Sequence, residues 1–175
     1  MARALYEQRL LFEWGGTLLV RHIEELPFTL RRMWAADYHD RRARFERSHR
    51  HLMRSVLEEI ERRGPLSSRD LPLGTKVSSY RARRDTGVAL YYLWLRGDLM
   101  IHSRIRGERR YDLIARLVSK RLRVAAPEDE ARRHNFRSSV RAFGLPNLSE
   151  LGLALKTAGS TPGKASELRA WIARE

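Results

Sequence analysis

Three features of the sequence predict a mainly α-helical protein with small β-hairpins, organised as a tandem winged helix-turn-helix. The first is Leu90–Tyr–Tyr–Leu–Trp–Leu–Arg–Gly–Asp–Leu99 followed by Arg104–Ile–Arg–Gly–Glu–Arg–Arg–Tyr–Asp–Leu113. It reads as a helix ending at Gly97, a strand, a tight turn at Gly107 and a second strand. The second is the order of elements before it, a long helix, a short helix and a third helix. The third is a return of that helical order after Pro127, ending where a second hairpin should begin.

Residues 1–36 read as a packing segment, the remnant of a preceding module. Leu10–Leu–Phe–Glu–Trp14 and Thr17–Leu–Leu–Val20 are apolar runs broken by Gly15–Gly16 and closed by Glu24–Glu–Leu–Pro27. The segment is too short to bury these side chains itself, so it must pack on a neighbour.

Residues 37–122 read as a winged-helix domain. Asp37 to Arg47 is nearly all charge and is expected to be the solvated lead-in to a long helix that Ser48 caps. Leu52, Met53, Val56, Leu57 and Ile60 then share one helical face, and Gly64–Pro65 ends the helix. Ser67 and Ser68 are positioned to cap a short helix through Leu71, before Pro72 and Gly74 break the chain. A basic loop from Lys76 to Arg84 leads to Asp85 or Thr86 as the cap of the third helix.

Residues 123–175 read as a second, incomplete winged-helix-like domain. Glu128–Asp–Glu130 favours a helix start through the dipole, and Phe136, Val140 and Phe143 mark its expected buried face. Gly144–Leu–Pro146 ends it and Asn147 caps a short helix through Leu155. Thr161–Pro162 suits the start of a last helix, Ala165 to Arg174, holding Leu168, Trp171 and Ile172.

Composition bounds the function. The 175 residues carry 35 Lys and Arg against 21 Asp and Glu, a formal net charge of +14, which favours a polyanion as partner. Lys stands only at 76, 120, 156 and 164, so Arg dominates; its fork suits phosphate and guanine, although a GC-rich coding sequence would give the same ratio. With no Cys, disulfides and thiolate metal sites are excluded and a reducing compartment is natural. No signal peptide and no run of about 18 apolar residues is present, so a cytoplasmic location is expected, nucleoid-associated if the source is bacterial.

Candidate chemistry is sparse. His49 and His51 lie two apart on a predicted helix and point to different sides, so they cannot share an ion; no metal and no cofactor is expected. Glu58, Glu59 and Glu61 fall on a solvated face, and no glycine-rich phosphate loop or nucleophile motif occurs, so no catalytic residue is assigned. Trp94 is expected in the core, with one of Tyr91 and Tyr92 left for the surface. The residues expected on duplex DNA are Lys76, Tyr80, Arg81, Arg83, Arg84 and Thr86 around the third helix's amino end, and Arg104, Arg106, Arg109 and Arg110 on the hairpin.

Arg63–Gly–Pro–Leu–Ser–Ser–Arg–Asp–Leu71, Ala89–Leu–Tyr–Tyr–Leu–Trp–Leu–Arg–Gly–Asp–Leu99 and Arg110–Tyr–Asp–Leu113, with Leu11–Phe–Glu–Trp14, Pro27 and Arg32–Met33 before them, resemble the winged-helix crosslink-repair DNA glycosylases of the AlkZ and YcaQ type. The resemblance is good from about Leu5 to Leu122 and weaker, though in order, to the end. It implies removal of alkylated or crosslinked bases from DNA. The family's catalytic glutamine motif has no match here, since the single glutamine is Gln8; Gly15–Gly16–Thr17 stands where the family usually has a histidine, and the family's carboxy-terminal barrel-like part has no counterpart. The chain therefore reads as the middle of such a protein, a fragment or a reduced relative. Three readings follow: a duplex-DNA-binding protein, part of a base-excising enzyme, and a winged-helix scaffold for protein contacts.

Overall fold

A computed structural model describes residues 1–15, 19–34, 40–71, 84–143 and 147–157, and isolated positions beyond them. Among the described residues the chain is mainly α-helical with two small antiparallel hairpins, the fold class the sequence predicts. It divides into two compact units, Met1–Glu24 with Met33–Arg123, and Glu25–Arg32 with Val124–Glu175.

The first unit opens with a π-helical turn, Arg3–Glu7, and a hairpin of β1 (Leu11–Trp14) and β2 (Leu19–His22), which the broken apolar runs do not announce. Leu5, Phe12, Glu13 and Trp14 are buried. The chain from Asp40 is no solvated lead-in but a separate helix, α2 (Asp40–Ser48), with Arg42 and Phe45 buried. Arg42 donates to the Met33 carbonyl at 2.9 Å and lies 3.4 Å from Glu46, so its charge is neutralised where it is desolvated. Ser48 does not cap the next helix. Its hydroxyl donates back to the carbonyls of Arg44 and Phe45, and α3 (Arg50–Arg63) starts at His49 without a side-chain cap.

Met53, Val56 and Ile60 of α3 are buried, Leu52 and Leu57 partly so, giving the expected apolar face. Leu66 then forms an isolated two-bond bridge with Tyr111. Ser67 and Asp70 close a turn in place of the expected short helix: the Ser67 hydroxyl accepts from the Arg69 amide, and the Asp70 carboxylate accepts from the Ser67 amide and hydroxyl. The breaks expected at Pro72 and Gly74 lie outside the described residues.

Helix α4 (Asp85–Arg96) is the centre of this unit, with Val88, Ala89, Leu90, Leu93, Trp94 and Leu95 all buried. Neither Asp85 nor Thr86 is its cap. Arg84 holds that position without a side-chain bond, and the Asp85 carboxylate accepts from the Thr86 amide inside the first turn. Gly97 ends the helix at φ 83, its amide donating to the Leu93 and Trp94 carbonyls. Strands β3 (Leu99–Ile105) and β4 (Glu108–Leu113) follow, with Leu99 opposite Leu113, Ile105 opposite Glu108 and an irregularity between Ile101 and Ser103. Arg106 and Gly107 join them with φ 50 and φ 81, the left-handed pair of a two-residue hairpin turn. A short α5 (Ile114–Leu117) closes the sheet side. There Arg116 donates to the Ile60 and Glu61 carbonyls, satisfying the last turn of α3.

In the second unit Leu26 and Leu30 of α1 (Leu26–Trp34) are buried, Phe28 stacks on His134 at 3.9 Å, and the Arg31 guanidinium donates to the Ala126 carbonyl. Helix α6 (Glu128–Phe143) starts at its acidic triplet as expected, but its buried positions are Ala131 and Asn135. Phe136 and Val140, expected on the core face, are only partly buried. Helix α7 (Leu148–Thr157) has the cap predicted for it: Asn147 Oδ1 accepts from the Ser149 and Glu150 amides, and Glu150 accepts from the Asn147 amide. The expected end at Gly144–Pro146 and most of the last helix lie outside the described residues.

A Cβ built at Gly97 would come within 2.9 Å of the Met33 sulfur, and the left-handed φ disfavours any L side chain. Gly97→Ala is expected to lower unfolding stability by about 1–2 kcal/mol, read by thermal or denaturant melting. Because the clash is with a flexible side-chain end, Met33→Ala in the same chain should recover only a small part of the loss.

Candidate nucleic-acid interface

The hairpin arginines separate into two kinds. Arg106 sits at the turn itself, exposed, and makes no hydrogen bond or ion pair among the described residues. The other three are engaged within the fold. Arg104 pairs with Glu13. Arg110 lies 3.3 Å from Asp70 and donates to the Pro65 carbonyl at 2.7 Å. The Arg109 guanidinium carbon stands 4.6 Å from the centre of the Trp94 ring, a cation–π contact.

The Arg104 partner is the least expected feature. Glu13 is 6% exposed, on a strand between Phe12 and Trp14, and accepts from both the Tyr6 hydroxyl and the Arg104 guanidinium. Burial pushes the Glu13 carboxyl up, but the bonds from Arg104 and Tyr6 outweigh it and hold the carboxyl below its ordinary value. Burial first, and then the hydrogen bond to Glu13 and its charge, raise the Tyr6 phenol. Arg9, in the left-handed region at φ 54, donates to the Ile101 and His102 carbonyls of β3. Strand β3 is thus tied to the amino-terminal segment, from its middle to near the tip, by two arginines and a carboxylate.

At the amino end of α4, Arg84 is exposed, whereas the Thr86 side chain is 6% exposed and faces inward. Lys76, Tyr80, Arg81 and Arg83 lie outside the described residues. Helix α4 carries no cation between Asp85 and Arg96, and its aromatic stripe is used for packing. Trp94, 1% exposed, donates its indole N–H to the Glu13 carbonyl at 3.0 Å. Tyr92 is partly buried and tilts against Phe45 at 5.4 Å. This helix therefore lacks the polar face that reads base edges from a major groove.

Among the described residues, no group of three or more His, Asp or Glu is placed to hold a metal, and no helix is long and apolar enough to cross a membrane. Glu7 and Gln8, the polar pair nearest the amino terminus, are exposed. Sequence reasoning missed Glu13, Tyr6 and Arg9. The available signal was a single carboxylate inside the apolar run Leu11–Phe–Glu–Trp14, a position that must find a partner if the run is buried.

A family model described as DNA glycosylase AlkZ-like matches residues 1–175, the whole of the sequence. The chain belongs to the AlkZ-like DNA glycosylase family. No curated protein and no solved structure matches it. Its role is accordingly DNA-binding and repair-related, in keeping with the surplus of positive charge.

Glu13→Gln keeps the shape of the Tyr6–Glu13–Arg104 cluster and removes its negative charge, leaving Arg104 half-desolvated. It is expected to cost about 1–3 kcal/mol at pH 7 in denaturant melts. Because the folded carboxyl titrates below its ordinary value near 4.5, its stabilisation is complete above that pH and disappears as pH falls through the folded value. The gap between wild type and Glu13→Gln should therefore narrow below about pH 4.5; a gap that stays constant down to acid unfolding would show that the charge contributes nothing.

Proposed function

We propose that the chain is a tandem winged-helix protein that holds duplex DNA through the wing β3–β4 and the adjoining basic loop. In this reading residues 37–122 form the DNA-binding winged helix and residues 123–175 a second, incomplete module; of the packing segment 1–36, Met1–Glu24 belongs to the compact unit of the first and Glu25–Arg32 to that of the second. Support comes from the order α3, the Leu66 bridge, α4 and the β3–β4 hairpin, which agrees with a winged helix carrying a three-membered sheet, although among the described residues a turn at Ser67–Asp70 stands where its short helix is expected. The family match supplies the nucleic acid.

The observation that carries the reading is Arg106, a cation at the very tip of a hairpin whose other arginines are used to brace it. A braced hairpin holds its tip charge in a fixed direction, which reduces the ordering cost of a phosphate or minor-groove contact. Arg84 supplies a further contact beside the amino end of α4, and Lys76, Tyr80, Arg81 and Arg83, which precede it in the sequence, are kept as further DNA contacts on their chemistry alone. Arg104, Arg109 and Arg110 act chiefly by shaping the wing, and Thr86 by packing. Binding is electrostatic and tolerant of sequence.

The family match also favours a second reading, in which this chain is part of an enzyme that excises alkylated or crosslinked bases. Excision needs a flipped base and a positioned group to activate water or to stabilise the developing sugar cation. Among the described residues two carboxylates are buried beside the wing, and both are engaged: Glu13 by Arg104 and Tyr6, and Asp112 by Arg116 and the Leu113 amide. Incubation with duplexes carrying alkylated purines or an interstrand crosslink is expected to give product at the spontaneous rate only. Faster release, abolished by a substitution within residues 1–175, would establish the enzyme.

DNA binding itself is tested by a salt titration on undamaged duplex. Affinity should fall steeply between roughly 50 and 200 mM salt. Arg106→Ala should reduce the salt slope by about one with an unchanged melting temperature. Arg109→Ala should cost about 0.5–2 kcal/mol of stability by uncovering Trp94. Undetectable binding at low salt, or affinity that is flat in salt, would remove the DNA reading.

A further inference from the structure

Within the first unit, a groove of about 510 Å³ runs between α2, α3 and the end of α4, away from the hairpin tip. Ala43, Met53 and Leu57 form its apolar floor, and Arg47, Arg50, Arg54 and Arg96 stand around it with Glu46. Glu46 is used by Arg96 at 3.7 Å and by Arg42 at 3.4 Å. Arg47, Arg50 and Arg54 are exposed and make no ion pair or side-chain hydrogen bond among the described residues. From Arg47 to Leu57 the sequence contains no acidic residue at all. This contrasts with the other end of the same helix, where Glu59 holds both Arg62 and Arg63.

The charges in the amino half of α3 also oppose its dipole, whereas Arg62 and Arg63 in its last turn agree with it. A helix favours anions at its amino end and cations at its carboxyl end. Arg50 and Arg54 occupy the amino half, where no acidic residue stands in the first turn, while Glu58, Glu59 and Glu61 occupy the carboxyl half. Each cation placed there costs stability unless an anion sits in front of it. Arg50 and Arg54 are one turn apart, about 6 Å along the axis, and Arg47 extends the row onto α2. A row of arginines at the positive end of a helix, over an apolar floor that long Arg stems and a sugar ring can share, fits a continuous phosphodiester strand.

We infer that this groove is a second phosphate-binding surface, which takes the backbone of the same duplex that the wing holds. The inference rests on the DNA-binding reading for the nature of the polyanion. Strand β3 carries the chain about 20 Å from the Arg96 end to the hairpin tip. Wing and groove thus act as separate contacts on one duplex, and the groove adds to affinity without reading sequence.

The test is the salt dependence of binding to an undamaged duplex of about 20 base pairs, for wild type, the triple variant Arg47→Ala/Arg50→Ala/Arg54→Ala, Arg106→Ala, and a control triple Arg3→Ala/Arg62→Ala/Lys120→Ala with the same loss of net charge. The groove triple should lower the salt slope by about two to three, at about 0.9 per lost phosphate contact. Its melting temperature should be nearly unchanged, since it removes two cations from the positive end of α3 and one from the negative end of α2. The control triple should change the slope by less than one. A groove triple that behaves like the control, while Arg106→Ala still weakens binding, would overturn the groove and leave the wing standing. A wild-type chain that does not bind duplex at low salt would overturn both.

Discussion

Two indole hydrogen bonds fasten the amino-terminal segment to the central helix of the first unit. Trp94 of α4 donates to the Glu13 carbonyl and Trp14 of β1 donates to the Leu95 carbonyl, each at 3.0 Å, so each strand or helix receives a bond from the other. Both rings are almost fully buried, and burial of such large side chains contributes more than either bond alone. The bonds fix the register of β1 against α4 to within one residue. That register decides where the Glu13 side chain points, and hence whether Arg104 has a partner. Slipping β1 by one residue would bury a carboxylate without Arg104 and leave an indole N–H unsatisfied, so the arrangement is strongly specified.

The same packing determines what the unit offers to a ligand. Helix α4 is covered by β1 on one side and by α3 and β3 on others, which makes it a core element rather than a free recognition helix. The wing inherits rigidity from this core through Arg104 on Glu13, Arg109 on Trp94 and Arg110 on Asp70. Arginines that would otherwise be three solvated charges are thus converted into braces. A partly buried pair that also satisfies further hydrogen bonds specifies geometry more than it stabilises. The hairpin is held in shape by residues that composition alone would count as DNA contacts.

Much of the fold was legible because its signals are local. The Gly97 helix end, the Arg106–Gly107 turn, the apolar face of α3 and the Asn147 cap each depend on a few neighbouring residues, and each stands where periodicity and turn chemistry place it. The misreadings depend on distant partners. Arg42 looks solvated in a charged run, yet the Met33 carbonyl and Glu46 draw it into the interior. Ser48 has the composition of a cap but finds closer acceptors behind it, in the last turn of α2. Phe136 and Val140 carry the apolar weight of α6, whereas the smaller Ala131 and Asn135 occupy its closest contacts. At the interface, the cationic character of the hairpin was visible in the sequence, but the division of labour among its arginines was not. Glu13 lies 91 residues from Arg104, beyond the reach of any local pattern.

That division changes how the net charge should be understood. A formal charge of +14 sets the long-range field that draws a polyanion toward the chain, and every cation contributes to it whether paired or not. Short-range contact is different, because a guanidinium already holding a carboxylate must give up that bond before it can hold a phosphate. Counted this way, the hairpin keeps one uncommitted arginine at its tip, while the row from Arg47 to Arg54 keeps three, two of them, Arg50 and Arg54, in the amino half of a helix whose dipole disfavours them. Charges set against the helix dipole lower the stability of the free protein and gain most when an anion arrives. The cations that count for contact are therefore those the fold leaves without internal use, and they cluster where local electrostatics is least comfortable with them.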